Sequence, residues 1–294
     1  MPDSKPIVYR NQHGFPPTIC IQLLKWCNLK CANCRADSSP LEKEQLRLNP
    51  LQSLLSALAV FGDWRISLTG GEPFFWYRLP ALLKTIKDLG FPFSITTNGF
   101  ANIRVFDSIP AEVWNRGTLY VSVDGNRVMH DSFRARNSYE NAFEFIKYCR
   151  NVVSTINVNT VLYSDPDLWL EELYIELVKA KIDNWTIISP VRTGRISYLP
   201  HDNNDLSSYR HWYERIREYV FREDRITTTF LDFAATEGVR EDVVFINSDG
   251  SVRLPGLYSS EIMPVKLLAL DDQNLADLIA ESVNLLVNSN EFIR

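Results

Sequence analysis

Short β-branched runs alternate with amphipathic stretches along the first three quarters of the chain. Alternation at period two marks strands and a 3.6-residue period marks helices. Thr18 to Leu24 (TICIQLL) reads as the first strand. Asn49-Pro50 opens a helix, with Asn as N-cap and Pro at the first helical position. That helix carries LQSLLSALAVF and stops at Gly62. Arg65 to Thr69 (RISLT) is the second strand, followed by a helix from Pro80 to Leu89 that ends at Gly90. Phe93 to Thr97 (FSITT) is the third, with a weakly marked segment around Ile109 to Asn115 behind it. Leu119 to Val123 (LYVSV) is the fourth, and its helix runs from Ser138 to about Tyr148. Ile156 to Tyr163 (INVNTVLY) is the fifth, before a helix from about Asp167 to Ala180. Trp185 to Ser189 (WTIIS) is the sixth, before a helix from about Leu206 to Phe221.

Six strand–helix units in series predict an α/β fold with a parallel sheet and right-handed crossovers. Six units are too few for a closed eight-fold barrel. The expectation is a partial (β/α)6 TIM-like barrel over residues 1–225, with a doubly wound open sheet as the competing architecture. After about residue 225 the pattern breaks. Asp242 to Ile246 and Val252 to Leu254 flank Ser248-Asp249-Gly250, a hairpin signal. A last amphipathic helix covers about Leu275 to Val287. Residues 226–294 read as a small α+β C-terminal appendage.

Composition narrows the function classes. The 294 residues are 45% hydrophobic and 23% charged, enough to bury a core without disulfides. The formal net charge of −5 argues against a generic nucleic-acid or anionic-membrane surface, which needs clustered Lys and Arg. No apolar run reaches the 18 or so residues of a membrane span. The N-terminal stretch has no apolar signal core, so the expected location is cytoplasmic.

Three of the five cysteines crowd together as Cys27, Cys31 and Cys34, spaced C-x3-C-x2-C directly after the first strand. They are too close for a disulfide framework and read as metal ligands in a reducing compartment. Structural zinc wants four protein ligands and an electron-transfer cluster usually takes four cysteines. His13 lies upstream across a Pro-Pro pair and Cys20 sits inside the strand. Besides three buried free thiols, the cysteines alone leave two readings open. One is a cubane with an open iron that binds a substrate-like ligand. The other is a zinc knuckle with a distant fourth ligand.

The second motif, Thr69-Gly70-Gly71-Glu72-Pro73, follows the second strand. With C-x3-C-x2-C on the preceding strand loop, it resembles the paired signature of the radical S-adenosylmethionine (SAM) superfamily. CNLKCANCRADSS is most similar to the subgroup that modifies peptides and haem precursors, many members of which carry a cysteine-rich SPASM-type extension. The resemblance implies one [4Fe-4S] cluster on Cys27, Cys31 and Cys34, and SAM bound at its open iron. It implies that Gly70, Gly71 and Pro73 shape the loop for the methionyl amino group, which Glu72 helps to orient. Thr97 and Asn98, in Thr96-Thr97-Asn98-Gly99, resemble the segment lining the cleft. Ser122 and Asp124, in Ser122-Val123-Asp124-Gly125, resemble the SxDG segment, with Ser122 toward the SAM carboxylate or ribose. Arg134 ends His130-Asp131-Ser132-Phe133-Arg134, similar to an HDxxR stretch whose Arg meets the SAM carboxylate. Asn159 resembles the position packing near the adenine. Glu72 and Arg134 are the candidate catalytic residues.

Three departures stand out. Asn33 occupies a position often aromatic in the subgroup. Val244 to Pro255 resembles the start of the cysteine-rich extension without its cysteine, and no cysteine follows Cys149. About seventeen residues precede the first strand, too few for a fused peptide-recognition domain. The resemblance implies reductive SAM cleavage to a 5′-deoxyadenosyl radical that removes a hydrogen atom from the substrate. The leading expectation is a ribosomal peptide, then a small molecule such as a nucleotide, sugar or tetrapyrrole precursor. A non-catalytic metal-stabilised scaffold is the reading from another class. The implied partners are an external reductant of the flavodoxin or ferredoxin type and the substrate, with a separate recognition protein as an optional third. Elsewhere, Arg192 and Arg195 around Gly194 are candidates to hold an anion, against a plain solvated loop. Cys149 and Cys20 read as packing residues.

Overall fold

The computed structural model describes residues 16–163, 165–190, 194–195, 206–223, 225–231, 243–253, 265–266, 275–277, 279–280 and 283. Arg192, His13 and Pro255 lie outside the described residues. The elements are β1 (Thr18–Gln22), α1 (Leu48–Leu58), β2 (Arg65–Thr69), α2 (Leu79–Asp88), β3 (Phe93–Thr97) and α3 (Ile103–Asp107). They continue with β4 (Gly117–Ser122), α4 (Arg127–Phe133), α5 (Ser138–Cys149), β5 (Thr155–Val161), α6 (Leu170–Lys179) and β6 (Asn184–Ile188). Last come α7 (Leu206–Glu223), β7 (Thr227–Leu231), β8 (Val243–Ile246), β9 (Ser251–Arg253) and β10 (Val265–Lys266).

One sheet holds all ten strands, in the order β10-β9-β8-β1-β2-β3-β4-β5-β6-β7. From β8 to β7 every pairing is parallel; β9 and β10 attach antiparallel. The two edges, β7 and β10, do not pair, so the fold is an open, partial TIM-like barrel. Two strands extend it beyond the six units. β7 is threonine-rich and continues the series past β6. β8 returns from late in the chain to lie parallel to β1, with Ile19 beside Val244 and Ile21 beside Ile246.

The register sorts side chains into two unlike faces, because successive residues of a strand point to opposite sides. Ile19, Ile21, Ile66, Leu68, Ile95, Leu119 and Val158 share the face that packs under α1, α2 and α5, all fully buried. The opposite, concave face carries Cys20, Ser67, Thr69, Ser94, Thr96, Ser122, Asn157 and Asn159. A parallel sheet covered on both faces would read as continuous hydrophobic runs. Here only the helix-side face does, so the other lines an open polar lumen.

Two details of the helices differ from the sequence reading. Arg47, not Asn49, stands at the N-cap of α1, with no side-chain cap bond, and Pro50 falls within the first turn. Proline is tolerated there because the first-turn N–H groups have no intrahelical partner. The short helices α3 and α4 were not anticipated. Asn102 and Asn126 cap them, accepting from Arg104 N and Met129 N. Their five and seven residues are too few to show a helical period. Late in the chain, Leu275, Ala276, Ile279, Ala280 and Val283 are helical and buried in the main core. No helix among the described residues is long and apolar enough to cross a membrane.

Candidate active site at the C-terminal ends of the strands

The site is assembled from the loops that follow β1 to β6, the end of the sheet where parallel α/β folds place their chemistry. Cys27 and Cys31 are buried, Cys34 is half-buried, and they pack with Leu29 and Ala135 in a small apolar cluster apart from the main core. Burial pushes the Cys27 thiol up to about 12, with Glu72, Cys31 and Cys34 adding to the rise. Cys31 is also raised, mainly by burial, against the pull of Arg134. Such thiols become thiolates only when a cation takes them, as a metal centre does. Among the described residues no three His, Cys, Asp or Glu side chains converge on one metal position. Three free thiols on one loop would suit an iron–sulfur cluster, each holding a different iron.

The glycine loop after β2 lies against the backbone that leads into the cysteines. Gly71 N donates to Leu24 O at 2.6 Å and Glu72 N to Trp26 O at 3.1 Å. A Cβ on Gly71 would stand 1.8 Å from Trp26 O, and one on Gly70 2.8 Å from Leu24 O. Only glycine permits this approach. Pro73 is buried at the start of a 3-10 turn, Pro73–Phe75. Phe75 packs on Trp26, ring centres 4.8 Å apart, while Phe74 and Trp76 are fully buried. Tyr77 is exposed.

Glu72 is completely enclosed. Its Oε1 accepts from Thr97 Oγ1 at 2.7 Å and Phe74 N at 3.2 Å, and its Oε2 from Asn98 N at 2.8 Å. Burial lifts its carboxyl to about 7 against those hydrogen bonds. The carboxylate thus braces the loop after β3 against the loop after β2. Asn98 passes the brace on, its Nδ2 lying 3.0 Å from Asn28 Oδ1 and 3.6 Å from Cys27 Sγ.

Asp124 and Arg134 form a buried ion pair. Arg134 Nε and Nη2 both reach Asp124 Oδ2 at 2.8 Å, and Asn33 Nδ2 donates to the same oxygen at 3.0 Å. Asp124 Oδ1 accepts from Val161 N. Asp124 and Cys31 hold the guanidinium above its usual range, although burial opposes them. Arg134 Nη1 makes no hydrogen bond among the described residues, so one edge of the guanidinium remains for a ligand. The neighbouring His130 is fully buried and accepts at Nδ1 from Asp124 N. Asp131 takes Asn137 N, Ser138 Oγ and Tyr139 N at the start of α5. Both hold the turn that presents Arg134. Ser122 and Asn159 are register neighbours on the concave face. The Ser122 hydroxyl makes no hydrogen bond among the described residues, and Asn159 Oδ1 is buried without a partner. An orphaned buried acceptor calls for a donor from a ligand or water, and it stands beside Ser122.

Asn33 and Arg195 do more than the sequence reading gave them. Asn33 ties the cysteine loop to Asp124, and Tyr163 reaches Asn33 O at 3.4 Å. Arg195 does more. Its Nε donates to Cys31 O at 2.7 Å, Nη2 to Ser38 O at 2.6 Å, and Nη1 pairs with Asp37 at 2.7 Å. Its own N–H donates to Cys34 O at 2.9 Å. Gly194, at φ +66°, lets the chain come this close; a Cβ there would sit 2.2 Å from Arg35 O. The guanidinium is committed to the cysteine loop, so an anion-binding role for it is not what the contacts show.

The comparisons with known proteins address the same residues. The pattern of the Radical SAM superfamily matches residues 21–177, more than half the chain. The chain belongs to the radical SAM superfamily. It is 27% identical over 206 residues to the Fe-coproporphyrin III synthase of Methanosarcina barkeri (69% of this chain, 51% of that one). It is 24% identical over 185 residues to the AdoMet-dependent heme synthase of Oleidesulfovibrio alaskensis (62% and 47%). Among solved structures, Streptococcus suis SuiB bound to S-adenosylmethionine superposes with a TM-score of 0.72 at 18% identity, covering 90% of this chain and 65% of SuiB. The chain thus spans about half the length of the curated relatives it matches. The cofactors of this radical SAM family are a [4Fe-4S] cluster and SAM.

Proposed function

We propose that this protein cleaves SAM reductively and abstracts a hydrogen atom from a ribosomally made peptide. The observation that carries the peptide reading is the lumen wall. It is built of hydroxyls and amides, and Asn157 Oδ1, which the SAM site does not use, faces no donor. Backbone N–H groups of an extended chain supply such donors. The propionates at the rim of a haem precursor are acceptors when ionised and would not supply them. SuiB, whose fold this chain shares, has been crystallised with its precursor peptide SuiA.

Cys27, Cys31 and Cys34 would hold the cluster, which supplies the electron that converts SAM into methionine and a 5′-deoxyadenosyl radical. Arg134, fixed by Asp124, offers its open edge to the methionyl carboxylate, a pairing suited to a guanidinium. Ser122 and Asn159 receive the nucleoside part. Gly70 and Gly71 let the loop backbone approach the methionyl amino group, and Glu72 keeps Thr97 and Asn98 in place. The protein's task is to position a C–H bond and exclude competing reactions. A flavodoxin- or ferredoxin-type donor in a reducing cytoplasm completes the system.

Anaerobic reconstitution with iron and sulfide, then reduction with SAM, tests the class. About four irons per chain and 5′-deoxyadenosine that disappears in Cys31→Ala are expected. Added precursor peptide should raise deoxyadenosine formation and change its own mass. A haem precursor doing so instead would replace the peptide reading; that second reading is favoured by the names of the sequence relatives.

A further inference from the structure

One place on the lumen wall gathers positive charge around an aromatic ring. Phe245 on β8 lies on the concave face, beside Cys20 of β1 and opposite Arg253 of β9. The Arg253 guanidinium carbon stands 4.5 Å from the Phe245 ring centre and that of Arg35 stands 5.5 Å from it. Arg35 directly follows Cys34, so the pair sits where the lumen meets the cysteine loop. Arg127, Arg134, Arg150 and Arg195 each have a carboxylate partner. Arg35 and Arg253 make no ion pair among the described residues.

An aromatic ring engages a guanidinium through its face and leaves the N–H edges unspent. Two like charges gathered around one ring repel each other, and an anion between them removes that cost. A carboxylate matches the guanidinium edge with paired hydrogen bonds. In a chain of net charge −5, two arginines meet here on one ring with no carboxylate partner among the described residues. We propose that Arg35 and Arg253, stacked on Phe245, form an anion subsite that holds a carboxylate of the substrate. The proposal rests on the lumen being the substrate channel, as read above.

The test is arginine labelling of the reconstituted holoenzyme with phenylglyoxal, read residue by residue by mass spectrometry. The probes are a hexaglutamate peptide against hexaglutamine, and coproporphyrin III against its tetramethyl ester. Arg35 and Arg253 should label in the free enzyme, and an acidic probe should slow them about fivefold or more. The neutral counterparts should not, and exposed Arg104 on α3 should label at the same rate throughout. Arg253→Gln should abolish protection of Arg35 while leaving SAM cleavage without substrate at its wild-type rate. Protection by the glutamate peptide supports the subsite on a peptide substrate. Protection by coproporphyrin alone supports the subsite and overturns the peptide reading. Equal protection by the neutral probes, or none by either acid, overturns the subsite; peptide-stimulated deoxyadenosine formation would then still stand on its own.

Discussion

Arg195 reaches from the loop after β6 to the carbonyl of Cys31, 2.7 Å from its Nε, and ties the cysteine loop shut from across the sheet. Hydrogen bonds from a charged group contribute about 1.5–3 kcal/mol each. Arg195→Ala removes three such contacts. Amide exchange across residues 32–38 of the apo-protein should accelerate more than about tenfold, and iron should leave the reconstituted protein faster under chelator. Arg195→Lys should recover little, since an ammonium cannot span three acceptors in a fork. Exchange at the wild-type rate in Arg195→Ala would show that the clasp is dispensable.

Gly71→Ala should be far more damaging than Gly70→Ala. The new methyl meets backbone oxygen at 1.8 Å in the first case. In the second, part of the clash is with the Leu24 side chain, which can rotate. Iron content after reconstitution should fall below about one per chain for Gly71→Ala and be reduced clearly less for Gly70→Ala, whose nearest backbone atom is at 2.8 Å. Matching losses in the two would contradict the geometry.

Asp124→Ala leaves Arg134 buried without its counter-charge. Breaking a buried pair from one side costs about 3–5 kcal/mol. Urea unfolding should show that loss, and SAM affinity should fall with it, because the guanidinium no longer has a fixed position. The conservative Asp124→Asn keeps the contact with Val161 N and should lose less stability.

His130 gives the fold a pH dependence. Burial, helped by the charge of Arg134, lowers its pKa from the ordinary 6.5 to about 4. A depressed folded pKa means that the neutral ring contributes stability fully above pH 6.5, and that this is lost as pH falls through 4. Glu72 runs the other way. Its raised value of about 7 gives a contribution present below pH 4.5 and lost as pH rises through 7. The two overlap, so a single melting curve hides both. The difference between wild type and His130→Gln isolates the histidine. That difference should shrink steadily from pH 7 to pH 4.5; a constant gap would mean that the ring does not titrate with unfolding.

Much of the fold was written locally. β2 and β3 fall on the runs RISLT and FSITT because period-two alternation lies within five residues. The cysteine and glycine loops were legible for the same reason, being contiguous strings after strands. What could not be read is set by distant partners. Arg195 lies 164 residues from Cys31, and nothing near it in sequence distinguishes a clasp from a solvated loop. Asn33 seemed a departure from an aromatic position. Its bond to Asp124, 91 residues away, gives it a reason that no local pattern holds. The pairing of β8 with β1 is likewise set by a match of apolar faces between the early and late parts of the chain.

That last pairing carries a consequence for how the protein is made. β1 and its cysteines are synthesised well before the segments that complete their pocket. Their sheet neighbour on one side, residues 243–246, and the clasping Arg195 come much later. Long-range parallel pairing is slow to form and leaves strand edges bare in the meantime. Until those segments arrive, the thiol pocket is unfinished and open to oxidation and to stray metals. The pocket is complete only once the late strand has closed over the early one.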